Sequence, residues 1–177
     1  ARPLDTKAGP ANPYPAHHFV AVEGTGGMLD YIGCFVHGFT QTHIDALCHV
    51  AFEGALYNGK PSTSVTATGA ASDAIDVLKD GLIGRGVLLD VPRLREVRWL
   101  EPGEHVFPAE LEDCERTQGV AVGRGDILLI RTGHARRYSE LGPWDTDKAK
   151  AGLHPTCARF LAERDVAALG SDGNNDT

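Results

Sequence analysis

Two histidines and an aspartate lie within a stretch of seven residues, at His43, Asp45 and His49. In an extended segment, side chains two positions apart point to the same face, so His43 and Asp45 can reach one ion. An imidazole with a carboxylate suits zinc, manganese or iron and leaves room for water. If the chain turns after Asp45, His49 returns beside that ion, as a third ligand or as a proton carrier. Burying such ionisable groups without a partner is costly, so the spacing predicts a metal or acid–base site.

His37 is a further candidate ligand, although its spacing is less favourable. Six residues of straight strand would place it about 20 Å from His43. It can join the site only if the chain bends sharply between the two histidines. Gly38 permits such a bend because it has no side chain to restrict its backbone.

The elements that must position these residues alternate between short strands and helices. We predict strands over 17–23, 31–36, 86–91, 125–133 and 166–169, and helices over 71–79, 108–116 and 155–164. The runs at 86–91 and 125–133 are apolar and bounded by Gly or Pro, which is typical of strands buried on both faces. The alternation predicts one mixed α/β (α+β) domain over 1–177, with residues 1–16 as an extended, proline-rich arm.

Composition excludes several classes of function. The formal net charge is −7 and the pI about 5.5, with no basic cluster of the kind that binds nucleic acid. No apolar run approaches the roughly 18 residues that cross a bilayer, and the first residues show no apolar core of a signal peptide, so we expect no membrane partner and a cytoplasmic location. The four cysteines form no closely spaced pair, which predicts reduced, buried thiols. The sequence stops just after a strand and a polar turn, so we expect it to be incomplete at its C-terminus.

The segment Thr42-His-Ile-Asp-Ala-Leu-Cys-His49 resembles the signature of the cyclase family, which includes bacterial kynurenine formamidase and isatin hydrolase. That signature reads His-x-Gly-Thr-His-x-Asp-x-Pro-x-His. Three further segments resemble landmarks of the longer family members, so the resemblance covers essentially the whole chain. They are Tyr57–Gly59, Gly125–Gly133 and Ala168–Asp176.

The resemblance implies a compact cyclase-like domain that assembles as a homodimer or homotetramer. It implies hydrolysis of an amide, formamide or lactam C–N bond in a small-molecule substrate with a divalent metal, zinc or manganese. By resemblance, His43 and Asp45 bind the metal, and His49 is the proton carrier or a second ligand. Asp172 by resemblance lies near the site, where it can orient a ligand; as part of a terminal stretch it can equally be a frayed loop.

The chain departs from the family signature at two places. Phe39 stands where the signature has its first His, Gln41 where it has Gly, and Leu47 where it has Pro. The first ligand is therefore supplied by His37 or lost. The family places a further His and Glu ligand after the segment that ends at Asp176, where this sequence stops.

Several residues are candidates for substrate contact. Phe39, Gln41 and Tyr57 are candidates by their position near the motif or by resemblance. Arg131 and Thr132, at the end of a predicted strand, can contact substrate or cap the sheet. Two rival functions remain open: a metal-independent relative that catalyses dehydration or ring closure, and a non-catalytic binding domain on the same fold.

Overall fold

The structure is a computed structural model, and it describes residues 9, 14–22, 24, 26–37, 42–173 and 175. The chain divides into two compact units. The first comprises Ala1–Thr6 and Pro15–Ile83, and the second comprises Lys7–Tyr14 and Gly84–Thr177. A single domain over 1–177 stays a prediction, and most of the predicted arm over 1–16 lies outside the described residues.

The first unit is built from short antiparallel pairs. Strand β1 (His17–Val22) pairs with β2 (Met28–Gly33), from His17 opposite Gly33 to Val22 opposite Met28. A second, smaller hairpin joins β3 (Val65–Thr66) to β4 (Gly69–Ala70). Three single turns of 3-10 helix complete the described part of this unit, at Tyr57–Gly59, Ser62–Ser64 and Ile75–Leu78.

The helix predicted over 71–79 is wrong. Asp73 has a positive φ of 58°, and Ala74 after it is extended, with ψ at 161°. Neither conformation belongs to an α-helix, so only the 3-10 turn Ile75–Leu78 forms from that segment. The segment has the apolar spacing of a helix, but the backbone conformation of Asp73 prevents a helix from forming there.

The second unit alternates strands with helices, as predicted. Its strands are β5 (Gly86–Asp90), β6 (His105–Val106), β7 (Ile127–Arg131), β8 (Gly152–Leu153) and β9 (Ala168–Ser171). Its helices are α1 (Val91–Leu94), α2 (Pro108–Gln118), α3 (His134–Leu141) and α4 (Cys157–Glu163). Strands β5, β7 and β9 form a parallel sheet in that order, and β6 pairs in parallel with β8.

Residues at the two ends of helix α2 determine where this helix begins and ends. Pro108 occupies the first turn, and the Glu110 carboxylate accepts a hydrogen bond of 3.0 Å from the Phe107 backbone N–H. Gly119 ends the helix in the left-handed conformation, with φ at 66°, which glycine adopts without steric cost. The predicted helix over 108–116 is therefore confirmed and extends to Gln118.

The core of the second unit lies on one side of its parallel sheet. Val87 and Leu89 of β5 and Leu128 and Ile130 of β7 face it, together with buried residues from the helices and loops: Val91, Leu100, Val106, Leu111, Cys114, Val122, Ala151, Leu153, Cys157 and Phe160. On the opposite face Leu88 is 51% exposed and Leu129 41% exposed. The prediction that these strands are buried on both faces is wrong for the described residues, because alternate side chains point away from the helices that cover the sheet.

Two of the four cysteines are buried and two are not. All four are free, and Cys114 and Cys157 are buried in the core as predicted. Cys34 is exposed, since it follows β2 in an exposed segment, and Cys48 is half-buried, so the prediction of buried thiols is wrong for these two. Among the described residues, no helix is both long and apolar enough to cross a membrane.

Candidate metal centre

His43 and Asp45 lie on a stretch of the first unit that belongs to no helix or strand. The Nε2 atom of His43 is 3.6 Å from Oδ1 of Asp45. The two-residue spacing therefore brings the imidazole and the carboxylate together, as the sequence predicts. His43 is the less exposed of the two, with 22% of its side chain accessible against 43% for Asp45.

A tight turn returns His49 to the same carboxylate. The backbone N–H of His49 donates to the carbonyl oxygen of Ala46 at 2.9 Å, which closes the turn. The N–H of Cys48, within the turn, donates to the Asp73 carbonyl at 3.1 Å. As a result, Nε2 of His49 lies 3.9 Å from Oδ2 of Asp45, the oxygen on the other side of the carboxylate from His43.

His37 reaches the centre as well. Its Nδ1 atom is 2.7 Å from Oδ1 of Asp45. Its ring stacks on that of His49, with 4.1 Å between centroids and 8° between planes, and meets the His43 ring edge-on at 5.4 Å. The chain thus brings His37 back over a distance that a straight strand could not cover. The connecting residues 38–41, including Gly38, lie outside the described part of the chain.

The donor atoms fit a divalent cation. His37, His43 and Asp45 each offer one ligand atom, and these atoms all lie within 4.8 Å of one another. Bonds of about 2.0–2.2 Å to zinc place two donors of one ion at most about 4.4 Å apart, so small side-chain rotations close the difference. Two imidazoles and one carboxylate form a set that suits zinc, manganese or iron. All three side chains are partly exposed, which leaves a side open to water and substrate.

His49 stands beside this set. Its Nε2 atom lies 3.9 Å from Oδ2 of Asp45, whereas His37 and His43 both approach Oδ1. A histidine in that position is close enough to exchange a proton with groups bound at the centre. The arrangement can therefore combine a bound cation with a neighbouring acid–base group.

Comparison with known proteins gives the family. The family model described as "Putative cyclase" matches residues 6–175. The chain belongs to the cyclase family. A solved structure described as the crystal structure of a novel cyclase is similar, with a TM-score of 0.81 and 26% sequence identity. The match covers 96% of this chain and 61% of that one. No curated protein matches the sequence.

The family match confirms the mixed α/β cyclase-like fold that the sequence predicts. This cyclase-family chain spans less than two thirds of the length of the solved cyclase.

The substrate-contact residues that the sequence predicts are distributed over both units. Tyr57, in the first unit, begins a 3-10 turn and is 56% exposed. Arg131, in the second unit, places Nη1 2.7 Å from Oδ1 of Asp90. Phe39 and Gln41 lie outside the described residues. Contact of these residues with substrate stays a prediction.

Asp172 and Thr132 form a hydrogen-bonded cluster in the second unit. Oδ1 of Asp172 accepts from the Thr132 backbone N–H at 2.7 Å and from its hydroxyl at 2.9 Å, and Oδ2 accepts from the Gly133 N–H at 2.9 Å. Burial lowers the pKa of neighbouring His134, and Arg137 lowers it further, while Asp172 opposes both. Through its three hydrogen bonds, the Asp172 carboxylate connects the end of strand β9 to the residues just before helix α3.

Sequence reasoning missed Asp73, which holds the turn before His49 through its backbone. The available signal was the residue type, since aspartate is one of the few residues that tolerate a positive φ. That signal lay within an apolar pattern that favoured a helix, so the residue was assigned to the helix instead.

Proposed function

We propose that this chain is part of a metal-dependent hydrolase that opens an amide, formamide or lactam C–N bond of a small molecule. The observation that supports this most directly is the convergence of His37, His43 and Asp45 within the reach of one cation, with His49 beside them. Zinc and manganese are the ions we favour for this donor set.

The residues of the candidate centre have two different roles in this reaction. His37, His43 and Asp45 would hold the ion, which when bound supplies Lewis-acid activation of water and of a carbonyl group. Hydrolysis adds the hydroxyl of water to the carbonyl carbon and a proton to the departing nitrogen. His49 accepts the proton from water and delivers it to that nitrogen, because one imidazole ring can act as both proton acceptor and proton donor.

The ring of His37 packs against one face of the His49 ring and restricts its orientation for this transfer. The two rings lie 4.1 Å apart and nearly parallel, so the His49 ring cannot turn freely towards solvent on that side. Replacing His49 should therefore lower turnover with little loss of metal. Replacing Asp45 should lower both, because its Oδ1 faces both histidine ligands.

Elemental analysis of purified protein tests the proposal. We expect about one zinc or manganese ion per chain, after incubation with the metal if needed, and its loss in Asp45→Asn. Asp30→Asn is the matched control, because Oδ1 of Asp30 is 2.7 Å from Nε2 of His18 in the β1–β2 hairpin, outside the centre. Activity is then assayed on formamides and lactams.

Two results would contradict the hydrolase. One is a folded protein that binds neither ion after resupply; the other is a loaded protein that hydrolyses no substrate of either class. The first would favour a metal-independent relative or a binding domain. A homodimer or homotetramer and a cytoplasmic location rest on the resemblance and on composition, and stay predictions.

A further inference from the structure

The first unit buries few of its own apolar side chains. Among its described residues, Ala16 and Leu56 are the buried hydrophobic ones, whereas the second unit has an extended core. Folded units are stabilised mainly by removing apolar surface from water. So much exposed apolar surface therefore indicates a contact with another molecule.

The β1–β2 hairpin is apolar on both faces. Directly opposed residues of antiparallel strands share a face, so Phe19 and Tyr31 lie on one side, with their rings stacked 4.5 Å apart, and Val22 and Met28 lie on the other. Large apolar side chains that are each more than half exposed occupy seven positions of the two strands: Phe19, Val20, Val22, Met28, Leu29, Tyr31 and Ile32. A two-stranded hairpin is at best marginally stable in water, so this one needs cover.

The edges of the β1–β2 hairpin are also open. Within the described part of the chain, its sheet contains only these two strands, so each has one unpaired edge. Strand β1 (His17–Val22) contains no proline, lysine or acidic residue, which are the residues that natural edge strands use to prevent pairing. Its edge is therefore suited to contact with another chain.

Area and charge favour a second copy of this chain as the partner. An exposed half of a large apolar side chain amounts to roughly 100 Å², so the hairpin offers close to the ~800 Å² that each partner contributes to a stable interface. The chain has a net charge of −7, so most of its surface repels another copy. The hairpin avoids this repulsion, because Asp30, the one carboxylate in its two strands, is 2.7 Å from Nε2 of His18.

We propose that the β1–β2 hairpin forms the centre of a homodimer interface, in which both of its faces are buried against the first unit of a second copy. Contact between copies related by a two-fold axis presents the same residues from each side, so one apolar surface covers the other. Such an interface supplies the buried apolar surface that the first unit lacks by itself, as in obligate dimers. The proposal depends neither on the metal nor on the reaction.

The test places one lysine on each face of the hairpin. Leu29→Lys lies on the face of Phe19 and Tyr31, and Val22→Lys lies on the opposite face. Val77→Lys is the matched control, because Val77 is 73% exposed and Val22 is 72% exposed, and Val77 lies in the 3-10 turn of the same unit. The three variants change the net charge equally. Sedimentation equilibrium measures the dissociation constant, and far-UV circular dichroism confirms that each variant is folded.

We expect the wild type and Val77→Lys to be dimers at about 10 µM, as interfaces of this size usually are. Each hairpin variant should raise the dissociation constant about thirtyfold or more, because a lysine charge would be buried without a partner. Hydrogen exchange of the wild type gives a check that needs no variant. The amides of β1 and β2 should be better protected in the dimer than after dilution to monomer.

Several results would overturn the inference. A wild type that stays monomeric at about 100 µM leaves the hairpin without this partner. A dimer that survives both hairpin lysines, or whose dilution leaves hydrogen exchange in β1 and β2 unchanged, has its interface elsewhere. Dissociation by only one of the two hairpin variants would contradict burial of both faces. Equal dissociation by Val77→Lys would show an effect of charge and not of the hairpin.

Discussion

Replacement of Asp172 by alanine should destabilise the second unit strongly. The carboxylate accepts three hydrogen bonds, two from Thr132 and one from the Gly133 N–H. Thr132 is only 1% exposed, so water cannot replace the lost acceptor without rearrangement. A buried donor left unsatisfied costs about 1–3 kcal/mol, and the Thr132 hydroxyl can turn to another acceptor. For the two backbone N–H groups together, we expect a loss of about 2–6 kcal/mol.

Asp172→Asn separates this explanation from simple loss of charge. Its amide oxygen can keep both bonds from Thr132, while its NH2 group faces the Gly133 N–H and cannot accept from it. One bond is lost in place of three, and we expect a cost of about 1.5–3 kcal/mol. The order of stability should be wild type, then Asp172→Asn, then Asp172→Ala.

Urea unfolding at neutral pH, followed by far-UV circular dichroism, measures both variants. A shift in midpoint with an unchanged m-value reports stability alone. Asp147→Ala, at an exposed position of the same unit, is the control and should stay within about 0.5 kcal/mol of the wild type. If Asp172→Ala also stays within that range, or if Asp172→Asn costs as much as Asp172→Ala, the hydrogen-bond argument is refuted.

Two further predictions concern the same unit. Gly133→Ala should cost at least about 3 kcal/mol in urea unfolding, because φ is +85° and a Cβ would lie 2.6 Å from that of Trp99. Gly119→Ala, with φ at +66° and nothing within 4 Å, should cost about 1–2 kcal/mol, and equal losses would contradict the steric argument. Hydrogen bonds from Arg85 lower the pKa of the Asp126 carboxyl in the folded protein. The stabilisation that these bonds provide is therefore fully present above the pKa of an unfolded aspartate, about 3.9. It is lost as the pH falls through the lower pKa of Asp126 in the folded protein. Arg85→Met should accordingly be less stable than the wild type at neutral pH and approach it in acid, and a constant difference in urea midpoints across pH would rule this out.

The sequence was a good guide where a local rule decides the structure. The two-residue spacing placed His43 beside Asp45, and Pro108 with Glu110 marked the start of helix α2. Both depend on contacts within a few residues of chain, which spacing and residue type express directly.

The sequence was a poor guide where contacts between distant parts of the chain determine the structure. The approach of His37 depends on the path of the chain between it and His43, which no periodicity encodes. The failure of the helix around Asp73 depends on the β3–β4 hairpin and the turn before His49 that hold this residue from either side. Exposure of Leu88 depends on which sheet face the helices cover, and an apolar run does not carry that information.

The stacked pair of His37 and His49 has a consequence for how this centre can change by mutation. One ring would serve as a ligand and the other as a proton carrier, yet each packs against the other's face at 4.1 Å. Replacement of His37 would therefore remove a ligand and also the ring against which the proton carrier packs, so the effects of substitutions at His37 and His49 on turnover should not add. We therefore expect epistasis between the two positions, in which the effect of a change at one histidine depends on the residue present at the other.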